Sequence, residues 1–241
     1  MIDPRRCICL WSGPRNVSTA LLYAFGERAD FEAVDEPLYA HYLRVSGAEH
    51  PGHDVVLSAM DRDGPRVIEE VMLAPLEKPY RFIKSMAHHL VELDWAFLDR
   101  MTNVLLTRDP REVLPTLSVQ IPEPRLRDAG YAVQVDLLRR EQARGVDPLV
   151  LDARLLLEDP AGVLASLCER LGIPFLPEML NWEAGPKPYD GVWAPYWYHN
   201  VHKSTGFMPY RPKTEPLDPD LQPLLERCRP LYEELLAHAI R

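Results

Sequence analysis

Arg6-Cys7-Ile8-Cys9-Leu10-Trp11-Ser12-Gly13-Pro14-Arg15-Asn16-Val17-Ser18-Thr19-Ala20 decides the reading of the chain. Cys7 to Trp11 is a short apolar run of the length of one buried strand. Ser12-Gly13-Pro14 breaks it. From Asn16 onward Val17, Ala20, Leu21, Ala24 and Phe25 recur at helical spacing. The stretch therefore predicts strand, tight turn and helix. The free N–H groups and dipole at such a helix start attract anions. Arg15, Ser18 and Thr19 add a cation and two hydroxyls, without the Walker A pattern. The plainer reading is an ordinary strand-to-helix turn with a surface arginine.

Outward from this stretch, apolar runs predict strands at Phe31–Val34, Arg81–Lys84, Asn103–Thr107 and Pro148–Leu151. Pro37 fits the first turn of a helix after Asp35-Glu36, and Asp109-Pro110 and Asp159-Pro160 open two more. Short helices are expected within 47–80, a helix or loop over 90–100, and helices at Gly130–Ala143 and about Asp218–His238. Strands alternating with helices predict an α/β fold, a mostly parallel sheet flanked by helices. Ligands of such sheets bind beyond the C-terminal strand ends. Trp11–Arg15, Asp35-Glu36, Lys84–His89 and Arg108 would gather on that one rim.

With 241 residues, 46% hydrophobic and 26% charged, the chain is long and apolar enough for one domain, 1–241, with a core of its own. Residues 181–216 are rich in Pro, Trp, Tyr and Gly and read as an ordered, irregular lid or lobe. A net charge of −9 argues against a nucleic-acid surface. No signal peptide or membrane-length apolar run is seen. Cys7, Cys9, Cys168 and Cys228 form no C-x-x-C pair, and Cys7 and Cys9 share one strand face. Reduced, buried thiols and a cytoplasmic location are expected.

Together these segments resemble the P-loop sulfotransferase family, over most of residues 6–175. The family's first motif is a strand, a turn with a basic residue and small hydroxyl residues, and a helix; Ser12–Thr19 matches it, with Arg15 at the basic position. Asn16-Val17 departs from the small pair common there. The second motif places an Arg at a strand end and a Ser eight residues later. Arg108 matches, with Thr116 at the Ser position, and Pro148–Phe175 resembles the later strand–helix block. The resemblance implies a P-loop nucleotide-binding fold and 3′-phosphoadenosine 5′-phosphosulfate as co-substrate, with no metal. Arg15, Asn16, Val17, Ser18 and Thr19 would then hold the 5′-phosphosulfate, and Arg108 and Thr116 the 3′-phosphate. The family's late basic loop is represented weakly by Lys203, Ser204, Thr205 and Gly206.

The implied activity is sulfuryl transfer to a hydroxyl of a small-molecule or carbohydrate acceptor, with no nucleic-acid or membrane partner. Arg15 and Lys84 are candidates for stabilising developing charge. The acceptor needs a base. Glu36 resembles the glutamate of the carbohydrate-type branch, and His88 and His89 lie near the base of the histidine-type branch. Each has a plainer role: Lys84 as an exposed strand-end lysine, Arg108 in a salt bridge with Asp109 or Glu112, Glu36 as a helix-start acid, the histidines as a pair split between core and solvent. Rival functions are a nucleotide-dependent kinase or hydrolase, a non-catalytic anion binder, and an interaction protein using Trp193–Tyr198.

Overall fold

A computed structural model describes residues 3–213 and 216–241. Five strands, β1 (Cys7–Ser12), β2 (Phe31–Asp35), β3 (Tyr80–Met86), β4 (Thr102–Thr107) and β5 (Leu149–Asp152), form one sheet in the order β2-β3-β1-β4-β5. Every pairing is parallel, as the alternation of strands and helices predicts.

Alternation along the strands explains the two cores. Cys7, Cys9, Trp11, Ile83, Leu105 and Val150 face one side. There they meet α4 (Pro110–Leu117), α5 (Tyr131–Ala143) and α8 (Gln222–Leu236) through Leu114, Val135, Leu225 and Leu235. Ile8, Leu10, Phe82, Val104 and Leu151 face the other side, against α1 (Ser18–Gly26) and α6 (Pro160–Leu171) through Leu21, Phe25 and Leu164. The helices cover both faces, which is what an all-parallel sheet requires. All four cysteines are buried and unpaired. A third, smaller cluster packs Tyr39, Tyr42, Val56, Trp193 and Tyr198 beyond the strand ends. It draws on α2 (Tyr39–Ser46), α3 (His53–Ala59) and α7 (Ala194–Trp197).

Several boundaries differ from the sequence reading. Strand β3 runs on through Ser85 and Met86, so His88 and His89 fall in a 3-10 turn, Ala87–His89, directly after it. Helix α1 starts at Ser18 rather than Asn16, because Asn16 uses its side chain to tie down the turn. A further helix, Ala153–Glu158, is too short at six residues to show a periodic stripe in the sequence, and Asp152 caps it by accepting from the N–H groups of Arg154 and Leu155. Within the 181–216 segment, residues 214–215 lie outside the described residues. Residues 181–213 are irregular, with short helical turns. Asp190 pins this stretch to α1, accepting from the Tyr23 hydroxyl at 2.8 and 2.9 Å.

Candidate active site

A cleft of about 440 Å³ opens at the C-terminal edge of the sheet. That size lies within the range of small-molecule sites. Arg15, Asn16, Val17, Ser18, Thr19, Glu36, Lys84, His88, His89, Arg108 and Thr116 all line it. Ser204 and Gly206 line it too. Lys203 and Thr205, beside and between them, are exposed and lie outside the lining. Their stretch is tied to the lobe. Trp182 N–H donates to the Thr205 carbonyl, and the Trp182 indole donates to Ser204 Oγ.

The first turn is held from below by one carbonyl. Leu106 O, at the end of β4, accepts from Gly13 N–H at 3.4 Å, Asn16 Nδ2 at 3.1 Å and Gln134 Nε2 at 2.7 Å. Gln134 also donates to Trp11 O and is fully buried. Gly13 allows close approach: a Cβ there would stand 3.2 Å from the Ala129 carbonyl, tighter than ordinary van der Waals contact. The chain then turns through Arg15 in the left-handed region, at φ 55°. A non-glycine residue there carries strain of about 1–3 kcal/mol, a feature concentrated at ligand-binding turns.

This turn leaves the start of α1 bare. Asn16 Oδ1 accepts from the Val17 N–H. No acceptor among the described residues reaches the N–H groups of Ser18, Thr19 or Ala20. The buried Nε of Arg15 also has no partner among them. Burial, with the charge of Arg108 beside it, holds the Arg15 guanidinium below the usual arginine value. The loop thus presents three open donors, a cation and two hydroxyls, a concave site for an anion.

Arg108 stands at the end of β4 and lies against this turn, with Nη1 3.5 Å from the Arg15 carbonyl. Its Nε and Nη2 donate to Glu112 Oε2 at 2.9 and 2.8 Å. Tyr210 donates to the other Glu112 oxygen, and Lys213 Nζ to the Glu112 carbonyl. The salt bridge considered for Arg108 is therefore present, and Arg108 faces the cleft as well. Thr116 faces the cleft with its hydroxyl donating to the Val113 carbonyl at 2.9 Å.

Across the cleft, register brings three charges together. Asp35 and Lys84 are cross-strand partners on β2 and β3, and Glu36 follows at φ 36°. Lys84 is fully buried rather than an exposed strand-end lysine. Its ammonium donates to Asp35 Oδ1 at 2.9 Å, to the Tyr198 hydroxyl at 2.6 Å and to Glu36 Oε1. These engage all three of its donors. Burial works against the Lys84 charge, but the two carboxylates outweigh it and hold the group above the ordinary lysine value. Glu36 is 6% exposed. Burial pushes its carboxyl up to about 7; Lys84 draws it down and Asp35 adds to the rise. Burial outweighs the lowering that a place near a helix start gives a carboxylate.

Both histidines reach the cleft, but as neutral rings. Burial, aided by His50, pushes His88 down to about 3. Burial and His88 hold His89 well below the usual histidine range. His89 stacks on Tyr39 and on Tyr42, with centroids at 5.0 and 4.8 Å. Its Nε2 lies 4.0 Å from Glu36 Oε2, and a neutral imidazole makes no ion pair there. Sequence pattern alone does not show the roles of Asp35, Tyr198 and Gln134. Of the three, Asp35 carries a local signal, its place just after an apolar strand and beside Glu36.

A model of the sulfotransferase domain family matches residues 6–239, and the chain belongs to that family. The chain is 41% identical over 231 residues to branched-chain-amino-acid aminotransferase-like protein 2 of Arabidopsis thaliana. That match covers 95% of this chain and 41% of the relative, so the chain spans about two fifths of the relative's length. Among solved structures it resembles a sulfotransferase domain from the curacin biosynthetic pathway at a TM-score of 0.54 and 16% identity, covering 92% of this chain and 97% of that one. A sulfotransferase from Alicyclobacillus acidocaldarius matches at a TM-score of 0.54 and 12% identity, covering 98% and 96%. These likenesses show the fold.

Proposed function

As a member of the sulfotransferase domain family, we propose, this chain transfers a sulfuryl group from 3′-phosphoadenosine 5′-phosphosulfate to a hydroxyl of a small-molecule or carbohydrate acceptor. The observation that carries the reading is the bare start of α1 beside the unpartnered Arg15 Nε, in one cleft with Glu36. The residues fit the donor: an anion would find open N–H groups at Ser18, Thr19 and Ala20, with Arg15 over it. The donor supplies an activated sulfuryl group; the chain supplies position and charge.

Arg108 is assigned the 3′-phosphate, oriented for it by Glu112. Thr116 joins it once its hydroxyl turns away from Val113. Glu36 is assigned the proton of the acceptor hydroxyl. A carboxyl held at about 7 is a far better base at neutral pH than an imidazole held at about 3. Lys84, with its three donors engaged, anchors Glu36 rather than the transferring group. The aromatic residues Tyr39, Tyr42, Trp193 and Trp197 line the acceptor side. Trp193, Trp197 and Tyr198 bring the segment 181–213 to that side, and we assign it to the same single domain, 1–241. The four buried, unpaired thiols agree with a reducing, cytoplasmic setting.

A thermal-shift panel tests the donor. A ligand that binds only the folded chain raises its Tm. Adenosine 3′,5′-bisphosphate is expected to raise it more than AMP, ADP, ATP or GTP. An equal or larger shift with ATP or GTP moves the chain to a nucleotide-dependent kinase or hydrolase, and no shift with any of them removes the donor assignment.

A further inference from the structure

We infer that Asp35 is a positioning residue for Glu36: it shares the Lys84 ammonium and so leaves Glu36 free to take up and release a proton. The inference rests on the reading of Glu36 as the base, and names what makes it one. Asp35, Lys84 and Glu36 have side-chain exposures of 1%, 0% and 7%. One cation between two buried carboxylates leaves a net negative charge with little water to screen it. Such a site binds a proton readily, and the question is which carboxylate takes it.

Hydrogen bonding answers it. Asp35 receives three donors: Lys84 Nζ at 2.9 Å on Oδ1, then the Tyr198 hydroxyl at 2.7 Å and the Gly191 N–H at 3.2 Å on Oδ2. Donors favour the anion. Among the described residues Glu36 receives a side-chain hydrogen bond from Lys84 alone. The other groups facing Glu36 are His89, Tyr39 and, through Lys84, Tyr198. Burial holds His89 neutral, and both tyrosines are kept protonated far above neutral pH. Asp35 is thus the like charge that acts on Glu36, and it is fixed in place by Tyr198 and Gly191. Both come from the irregular segment beyond residue 181, so the seating of that segment and the basicity of Glu36 are joined through one carboxylate.

The test is a titration, and needs no acceptor. Carbon-13 carboxyl signals of the full chain are followed against pH, with Glu36 identified by its loss in Glu36→Gln. The wild type is expected to titrate near 7 at Glu36. In Asp35→Asn the Glu36 midpoint is expected to fall by about one pH unit or more, tenfold in proton affinity, because the like charge is gone and Lys84 turns to Glu36. An unchanged midpoint in a folded Asp35→Asn overturns the inference. Should that variant not fold, the wild-type spectrum decides. The carboxyl signal that moves near neutral pH must be that of Glu36, and movement of Asp35 in its place overturns the inference. The thermal shift with adenosine 3′,5′-bisphosphate is read on the same samples. Its absence removes the donor reading while the titration result stands.

Discussion

Arg108 reaches one helical turn down to Glu112, with Nη2 2.8 Å from Oε2, while its other edge touches the Arg15 carbonyl. The pair is largely buried, at 17% and 9% side-chain exposure, so it fixes the guanidinium as a free surface arginine would not be fixed. Arg108→Ala is expected to lose most discrimination between adenosine 3′,5′-bisphosphate and AMP, on the order of 2–5 kcal/mol for one partner of a buried charged contact. Isothermal titration with both nucleotides measures it. An unchanged ratio in a folded variant removes the 3′-phosphate role.

The first turn makes a second prediction. Crystals grown with sulfate are expected to hold an anion within hydrogen-bond reach of the Ser18, Thr19 and Ala20 N–H groups. Arg15→Met keeps the side-chain bulk and removes the charge, and is expected to weaken binding of adenosine 3′,5′-bisphosphate at least about tenfold, a charge-assisted bond being worth about 1.5–3 kcal/mol. An anion found elsewhere on the rim, with the turn empty, would count against the cradle.

Most of what lies on the rim was legible, because it follows from local pattern. Apolar runs such as Cys7–Trp11 and Asn103–Thr107 mark strands, and the breaks after them place Arg15 and Arg108 at the same edge. The surroundings of Lys84 were not legible. They depend on the register that sets Asp35 opposite Lys84, and on Tyr198, which is 114 residues away in sequence. Gln134 was hidden for the same reason: an amide on a helix face shows nothing of the two strand-end carbonyls it will meet.

The segment beyond residue 181 is pinned at Asp190, which accepts from Tyr23, from His202 Nε2 at 2.9 Å and from the Lys187 N–H at 2.8 Å. Asp190→Asn is expected to destabilise the fold by about 1–3 kcal/mol, the cost of leaving buried polar partners unsatisfied. Amide hydrogen exchange over residues 187–202 should quicken more than exchange in β1 or β4. Uniform quickening would mean that the contact serves the whole core rather than this segment.

Glu36 and His88 give stability opposite pH dependences. Glu36 holds its proton more tightly when folded, at about 7 against an ordinary 4.5, so its contribution is complete below about 4.5 and is lost as pH rises through about 7. His88 sits at about 3 against an ordinary 6.5, so its contribution is present above 6.5 and is lost as pH falls toward 3. The two oppose each other between 4.5 and 6.5. From pH 6.5 to about 7.5 the Glu36 contribution changes more steeply than that of His88, which levels off there. The Tm of the wild type is expected to fall over that window relative to Glu36→Gln, and Tm scans in matched buffers read the difference directly. Parallel curves would mean that Glu36 is already ionised in the folded chain.

The assignment of the base makes the last prediction. Glu36 lies in the same cleft as Arg15 and the bare start of α1, buried enough to be held near 7 and anchored by Lys84. His88 and His89 share the cleft, but burial strips them of basicity, so each is suited to shaping the wall by ring contact. Glu36→Gln keeps the shape and the contact with Lys84 while removing the proton acceptor. Binding of adenosine 3′,5′-bisphosphate is expected to survive, because the turn at Arg15 is untouched. Transfer is expected to fall by about 10²–10⁴-fold, the usual contribution of a positioned base. The wild-type kcat/KM is expected to rise with pH through about 7 and then level off, since the base acts when ionised. His88→Asn and His89→Asn should each cost less than Glu36→Gln and leave the midpoint of that profile in place. A profile that rises instead around pH 3, or a histidine variant that falls as far as Glu36→Gln with its fold intact, would pass the role to the imidazole.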